Sequence, residues 1–142
     1  MFYKTNLQYI ISYLGLIPYG LIFLNKHFFF YIEQKITFDF IIYYTLIIIV
    51  FIGSEKWNLQ KKIPNHLIIY GFLPSLFAIF IIILNLYSYD ILKLFLYLAI
   101  FLMTQLIFDY ILIYAKSAKK YAFYYVRLPL TLIITLFLLI KF

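Results

Sequence analysis

The sequence predicts an all-α integral membrane protein, folded as a bundle of five transmembrane helices. The first observation is composition: 67% of the 142 residues are hydrophobic, 12% are charged, and the mean hydropathy is +1.02. A chain with so few polar side chains cannot cover a soluble globule of this size. The second observation is that apolar runs of membrane length recur along the chain, and a helix satisfies the backbone of a lone segment in lipid.

Five such runs predict the spans, at residues 7–24, 36–53, 67–86, 91–115 and 121–140. Each supplies roughly 20 residues, enough to cross a hydrocarbon core of about 30 Å as a helix. Together they account for most of the chain, so residues 1–142 are predicted to form a single membrane domain. The first run has only Lys4 ahead of it and no small-residue cleavage site after it. We therefore expect a retained span rather than a signal peptide.

The connections and prolines predict details of the helices. Only four residues, Tyr87 to Asp90, separate the third and fourth spans, which predicts an antiparallel helical hairpin with Asp90 as the cap of the fourth helix. Pro18 and Pro74 are expected inside the first and third helices, and Pro129 near the start of the fifth. Each proline frees a backbone carbonyl and permits a kink.

The distribution of basic residues predicts the orientation. With five spans, one side of the membrane receives the N-terminus and the loops after the second and fourth spans. The basic residues of that side are Lys4, Lys56, Lys61, Lys62, Lys116, Lys119 and Lys120, with Arg127 near it, whereas Lys26, Lys35, Lys93 and Lys141 fall on the other. The positive-inside rule places the N-terminus in the matrix or cytoplasm and the C-terminus outside.

The net charge of +7 is therefore a topology signal. It predicts anionic phospholipids as partners, through head-group contacts of the lysines in two loops. Those residues are Lys56, Lys61, Lys62, Lys116, Lys119 and Lys120. No nucleic-acid partner is expected, because no folded basic surface is available to face a duplex.

Two charged residues at the same predicted depth indicate an intramembrane ion pair. Arg127 lies six residues into the fifth span and Asp109 six residues before the end of the fourth. At a rise of 1.5 Å per residue, both lie about 9 Å below the same surface on consecutive antiparallel helices. Because an isolated charge in the bilayer is unfavourable by at least about 2.5 kcal/mol, we predict a structural Asp109–Arg127 pair. The alternative is that each side chain reaches the head groups independently.

Catalytic and cofactor signals are weak. The chain has no cysteine, which excludes thiolate metal sites. The two histidines, His27 and His66, fall on opposite sides of the membrane and cannot share a haem iron. Trp57 is interpreted as an interface anchor, with a quinone or head-group site at Glu55 to Trp57 as the alternative. No HExxH, GxSxG or glycine-rich phosphate loop occurs, so we predict no enzyme, no catalytic residue, no cofactor and no metal.

Several short motifs resemble the transmembrane protein 69 family of mitochondria and alphaproteobacteria. They are YLGLIPY at Tyr13 to Tyr19, YYTLIIIVFIGSEKW at Tyr43 to Trp57, FLPSLFAIF at Phe72 to Phe80 and YYVRLPLTL at Tyr124 to Leu132. The sequence departs from the family pattern at three positions, where Ser54 replaces the second glycine of a pair, Asn58 another glycine and Ile79 a tryptophan. The resemblance implies an inner-membrane location and no activity. If the family's glycine pair permits close backbone approach, that contact is expected to be lost or relocated here.

The function expected from these observations is a non-catalytic structural, accessory or assembly subunit of a larger membrane complex. The abundance of Phe, Tyr, Ile, Lys and Asn is typical of an AT-rich genome, which favours a mitochondrial respiratory-chain complex with other membrane subunits as partners. Two alternatives stay open: a quinone- or haem-binding membrane anchor of an electron-transfer complex, and a small transporter. The inner membrane of a mitochondrion or of a bacterium is the expected location.

Overall fold

The computed structural model describes residues 9–25, 32–54, 63–114, 121 and 123–140. All regular secondary structure in these residues is helical. We number the helical segments α1 to α5 in chain order. They are α1 (Tyr9–Leu24), α2 (Gln34–Ser54), α3 (Asn65–Leu86), α4 (Ile91–Asp109) and α5 (Leu128–Leu139). The prediction of an all-helical protein is confirmed for the described part of the chain.

Within the described part of the chain, three helices are long and apolar enough to cross a membrane. They are α2, α3 and the helix Ile91–Leu112 that begins with α4, with mean hydropathies of 2.2, 2.7 and 2.2. The other two helical segments, Tyr9–Leu24 and Phe123–Leu139, are apolar but shorter. The predicted spans lie on these helices, with helix ends that differ by a few residues. Helix length and hydropathy therefore support three of the five predicted crossings. The crossings by the first and fifth helices stay predictions.

The contacts within the chain define two compact units. One unit is Gln34–Phe95, which holds α2, α3 and the first turn of α4. The other combines Met1–Glu33 with Leu96–Phe142 and holds α1, the rest of α4 and α5. The boundary between the units falls within α4 itself.

In the first unit, α2 and α3 approach each other closely at Gly53. A Cβ atom built on Gly53 would lie 2.7 Å from Pro74 Cγ and 2.9 Å from the carbonyl oxygen of Gly71. Real Cβ atoms do not come so close, so the crossing requires glycine at this position. Gly53 directly precedes Ser54, and the close helix contact is made with this one glycine.

The connection from α3 to α4 is a tight turn. Ser88 adopts a left-handed backbone conformation with φ of 56°. Asp90 Oδ1 accepts a hydrogen bond of 3.0 Å from the backbone N–H of Leu92. This is the bond that an N-capping carboxylate makes to the second residue of a helix, so the predicted capping role of Asp90 is confirmed.

In the second unit, α1 is interrupted by a turn at Gly15 and Leu16. The α-helix Ile17–Leu24 starts after it, and Pro18 lies in its first turn. Pro18 thus lies inside α1 as predicted, at the break in the segment. Proline is favoured at the start of a helix, where its missing N–H has no helical partner in any case. Pro74 lies inside α3, also as predicted.

Buried side chains of α4 recur at helical spacing along one face. Leu94, Leu98 and Leu102 are fully buried, and the same face continues through Gln105 to Asp109. Residues three and four apart lie on one side of an α-helix. The face is apolar for most of its length and becomes polar at the carboxyl end of α4, which is where the candidate site lies.

Candidate functional site

The candidate site lies where α4 ends and α5 begins, and both ends are wound as π-helix. The π-helical turn Tyr110–Tyr114 directly follows α4, and a second, Phe123–Arg127, directly precedes α5. π-helical turns are rare and occur mostly as single turns, frequently at functional sites. Asp109 is the last residue before the first turn, and Arg127 is the last residue of the second. Each charged residue thus lies where an irregular turn meets its α-helix.

The structure brings Asp109 and Arg127 into contact. Arg127 Nε donates a hydrogen bond of 2.8 Å to Asp109 Oδ2. The Asp109 side chain is completely buried, and the Arg127 side chain is 14% exposed. Charge-assisted bonds of this length are among the strongest in proteins. In a poorly hydrated interior each charge needs the other, so the contact holds the end of α4 against the start of α5.

The pair uses only one edge of the guanidinium group. Bidentate pairing would engage two nitrogen atoms of the arginine, as is frequent for arginine and carboxylate. Here Arg127 Nη2 is buried and makes no hydrogen bond within the described part of the chain. A buried unpaired donor is unfavourable by about 1–3 kcal/mol, and by more where it is charged. The site therefore has an unused hydrogen-bonding group beside the ion pair.

Aromatic rings join the two π-helical turns next to the pair. The Tyr110 ring centroid lies 5.2 Å from that of Phe123 and 6.5 Å from that of Tyr124. Phe123 is itself buried. Edge-to-face and tilted ring pairs at these distances each stabilise by about 0.5–1.5 kcal/mol. The cluster packs the α4 side of the first turn against the first residues of the second turn, so the ion pair is not the only contact between the two turns.

Polar residues continue from the ion pair along both helices. On α4, Gln105 is buried one turn before Asp109. On α5, Thr131 and Thr135 follow Arg127 at steps of four residues, and both are buried, with 1% and 7% of their surface exposed. Each threonine hydroxyl is buried without a hydrogen-bond partner in the described residues. The sequence interpretation missed these residues, although the four-residue spacing of Arg127, Thr131 and Thr135 was a visible signal.

A hydrogen bond from α1 reaches the turn that carries Arg127. Tyr13 Oη donates to the backbone carbonyl of Tyr125. Pro129 lies four residues after Tyr125 and has no N–H, so it cannot make the usual helical bond to that carbonyl. The prediction that Pro129 frees a carbonyl thus acquires a structural consequence, because a tyrosine hydroxyl of α1 takes the place of the missing donor.

A second polar cluster lies in the other unit, between α2 and α3. Asn85 Nδ2 donates to Asp39 Oδ1 at 3.0 Å and approaches Tyr43 Oη at 3.2 Å. Asp39 lies inside the predicted second span, and Asn85 at the end of the third. The sequence analysis did not single out either residue. This amide–carboxylate contact ties α2 to α3 at the end of the hairpin opposite to Gly53.

The remaining predicted site residues divide into described and undescribed positions. His66 is described and lies exposed in the first turn of α3. The others lie outside the described residues: Trp57, His27, Lys56, Lys61, Lys62, Lys116, Lys119 and Lys120. Their assignments as interface anchor and lipid head-group contacts stay predictions. Among the residues that the structure does describe, no group of three or more His, Asp or Glu side chains is arranged to hold a metal ion.

Comparisons with known proteins gave no relative. No protein-family model, no curated protein and no solved structure matches the chain.

Proposed function

We propose that this protein is a non-catalytic structural, accessory or assembly subunit of a larger complex in an inner membrane. The observation that carries the proposal is the placement of polar and apolar groups on the three longest helices. No more than 39% of the most apolar window of any of them is buried within the chain. Asp109 is fully buried and Asn85 joins Asp39 across α2 and α3, whereas most of the apolar surface of these helices is left to lipid and to the helices of other subunits.

The complex is proposed to belong to the respiratory chain of mitochondria, with the inner membrane of a bacterium as the other location. AT-rich residue usage and the family resemblance support this assignment. The protein is proposed to cross the membrane five times, with its N-terminus in the matrix or cytoplasm. Anionic phospholipids are its proposed lipid partners, through the lysines of the two basic loops.

Contacts within the second unit support α1 as a crossing helix. Tyr13 in the first half of α1 bonds to Tyr125 at the start of the last helix, and Tyr19 in the second half contacts Phe137 near its end, with ring centroids 4.9 Å apart. The two helices therefore run in the same direction. Five crossings require the first and fifth helices to be parallel, because both run from the inner to the outer side.

The proposal is tested by extraction of the native membrane with a mild detergent, followed by a native gel and mass spectrometry. The band that contains this chain should migrate as a large assembly together with other integral membrane subunits. The visible absorption spectrum of this assembly should be the same when it is prepared with the chain and, after gene deletion, without it. Migration near 17.2 kDa plus detergent would contradict the proposal.

A further inference from the structure

We propose that the Asp109–Arg127 site continues along α5 as a row of bound water molecules. These waters would be held by Arg127 Nη2 and by the hydroxyls of Thr131 and Thr135. The proposal concerns a hydrated binding site inside the last helix pair and is independent of the complex to which the protein belongs.

The first step of the argument is the behaviour of the threonine hydroxyls. In a helix, a threonine ordinarily satisfies its hydroxyl on the carbonyl four residues earlier. Two threonines of this chain do so: Thr45 Oγ1 donates to the Ile41 carbonyl at 2.7 Å, and Thr104 Oγ1 to the Ile100 carbonyl at 2.8 Å. Thr131 and Thr135 make no such bond, although both are buried. Their hydroxyls therefore have no hydrogen-bond partner among the described residues.

The second step is the energetics of these groups. Buried polar atoms in native proteins have a hydrogen-bond partner in at least about 90% of cases, and buried water is the usual partner where the protein supplies none. Arg127 Nη2 and the two hydroxyls form three consecutive unpaired groups on one face. A buried water typically makes about three hydrogen bonds to otherwise unsatisfied groups. The local chemistry therefore suits water, which donates and accepts, better than an ion, because Asp109 already neutralises the arginine.

The third step is spacing. Residues four apart in an α-helix are separated by about 6 Å along the axis. A water that bridges two oxygen atoms with bonds of about 2.8 Å joins groups up to about 5.6 Å apart. Because 6 Å exceeds this reach, two waters in series, which span up to about 8 Å, would join neighbouring members of the row. The row from Arg127 to Thr135 extends about 12 Å along the helix.

The absence of cysteine from the sequence allows a direct test of water access. Single-cysteine variants Thr131→Cys and Thr135→Cys would be reacted with silver ion, which is small and reacts with thiolates. Thiolates form in hydrated surroundings and are suppressed in apolar ones. The matched control is Leu136→Cys, at the same depth as Thr135 but 57% exposed on the apolar exterior. We expect the threonine positions to react faster by on the order of tenfold.

Reaction of Thr135→Cys no faster than that of Leu136→Cys would overturn the proposal. A second measurement does not depend on thiol chemistry. If water satisfies the hydroxyls, Thr131→Val and Thr135→Val should lower the Tm in detergent, because each removes a hydrogen-bonded group. If the site is dry, the same changes remove an unsatisfied hydroxyl and should raise the Tm. Thr104→Val, which removes only a bond to its own exposed turn, is the control and should change the Tm little.

Discussion

At the scale of residues, the buried carboxylate of Asp109 determines what its surroundings must supply. Its side chain has no solvent exposure, so the protein has to provide both a positive charge and hydrogen-bond donors. Arg127 supplies the charge from a position 18 residues later in the chain. The sequence predicted this partnership because depth in a helix follows directly from residue number.

Removal of one partner should destabilise the protein more than loss of an ordinary contact. Arg127→Ala leaves the buried Asp109 without its counter-charge, and we expect a loss of about 3–5 kcal/mol of stability. The exchange variant Arg127→Asp with Asp109→Arg restores opposite charges and should recover part of the loss. Folded protein after detergent extraction and its Tm are the measurements.

Lys93→Ala is the matched control for this experiment. Lys93 is exposed near the start of α4, with its Nζ 5.6 Å from the centre of the Tyr89 ring. Its removal deletes a positive charge without leaving a buried carboxylate, and exposed interactions of this kind contribute about 0.5–1 kcal/mol. An exchange variant no more stable than Arg127→Ala would show that the two residues do not depend on each other.

The sequence did not show which other polar residues are buried or in contact with each other. Asn85 and Asp39 lie 46 positions apart and meet only because α2 and α3 pack side by side. The four-residue spacing places Thr131 and Thr135 on the same face as Arg127, but in a helix that is apolar all round it does not show whether that face is buried. Burial of a particular face is decided by neighbouring helices, which composition and spacing do not reveal.

At the scale of helices, the crossing at Gly53 sets the distance between α2 and α3. Without side-chain hydrophobic driving force in lipid, helices associate through close packing, and small residues permit it. Gly53 meets the Gly71 carbonyl and Pro74 at this crossing. The expectation that the family's glycine contact is lost or relocated at Ser54 stays a prediction, and in this chain the close contact is made by Gly53.

Gly53→Ala should therefore destabilise the α2–α3 pair. The new methyl group would lie within 3 Å of Gly71 and Pro74, and overpacking of this kind typically costs about 1–3 kcal/mol. Gly20→Ala is the matched control, because nothing lies within 4 Å of a Cβ built there. The control should be neutral or slightly stabilising, since alanine favours helix. A Tm for Gly53→Ala equal to that of the control would contradict the close crossing.

At the scale of the whole molecule, the membrane topology is the main open prediction. The sequence predicted the number and approximate ends of the helices, because apolar length is a direct consequence of bilayer thickness. It did not predict the break in α1 or the π-helical turns, since these depend on local hydrogen bonds that hydropathy does not record.

The number of crossings is testable by the sidedness of α1. With five crossings, an N-terminal tag and a cysteine at Glu33→Cys lie on opposite sides of the membrane. Labelling with an impermeant maleimide should reach Glu33→Cys and Ser88→Cys from one side, and the tag should be accessible only from the other. Ser88→Cys is the control, because it shares the side of Glu33 whether α1 crosses or not. A tag on the same side as Glu33 would mean that α1 does not cross.

The separation of Asp109 and Arg127 along the chain has a consequence for biogenesis. The fourth helix leaves the ribosome first, and until Arg127 emerges its carboxylate has no counter-charge in the bilayer. If α5 crosses the membrane as proposed, stable insertion of α4 is linked to the synthesis of α5, and the two helices would enter lipid as a hairpin. A chain truncated before Arg127 would present the insertion machinery with an unneutralised acid and would be a substrate for membrane quality control.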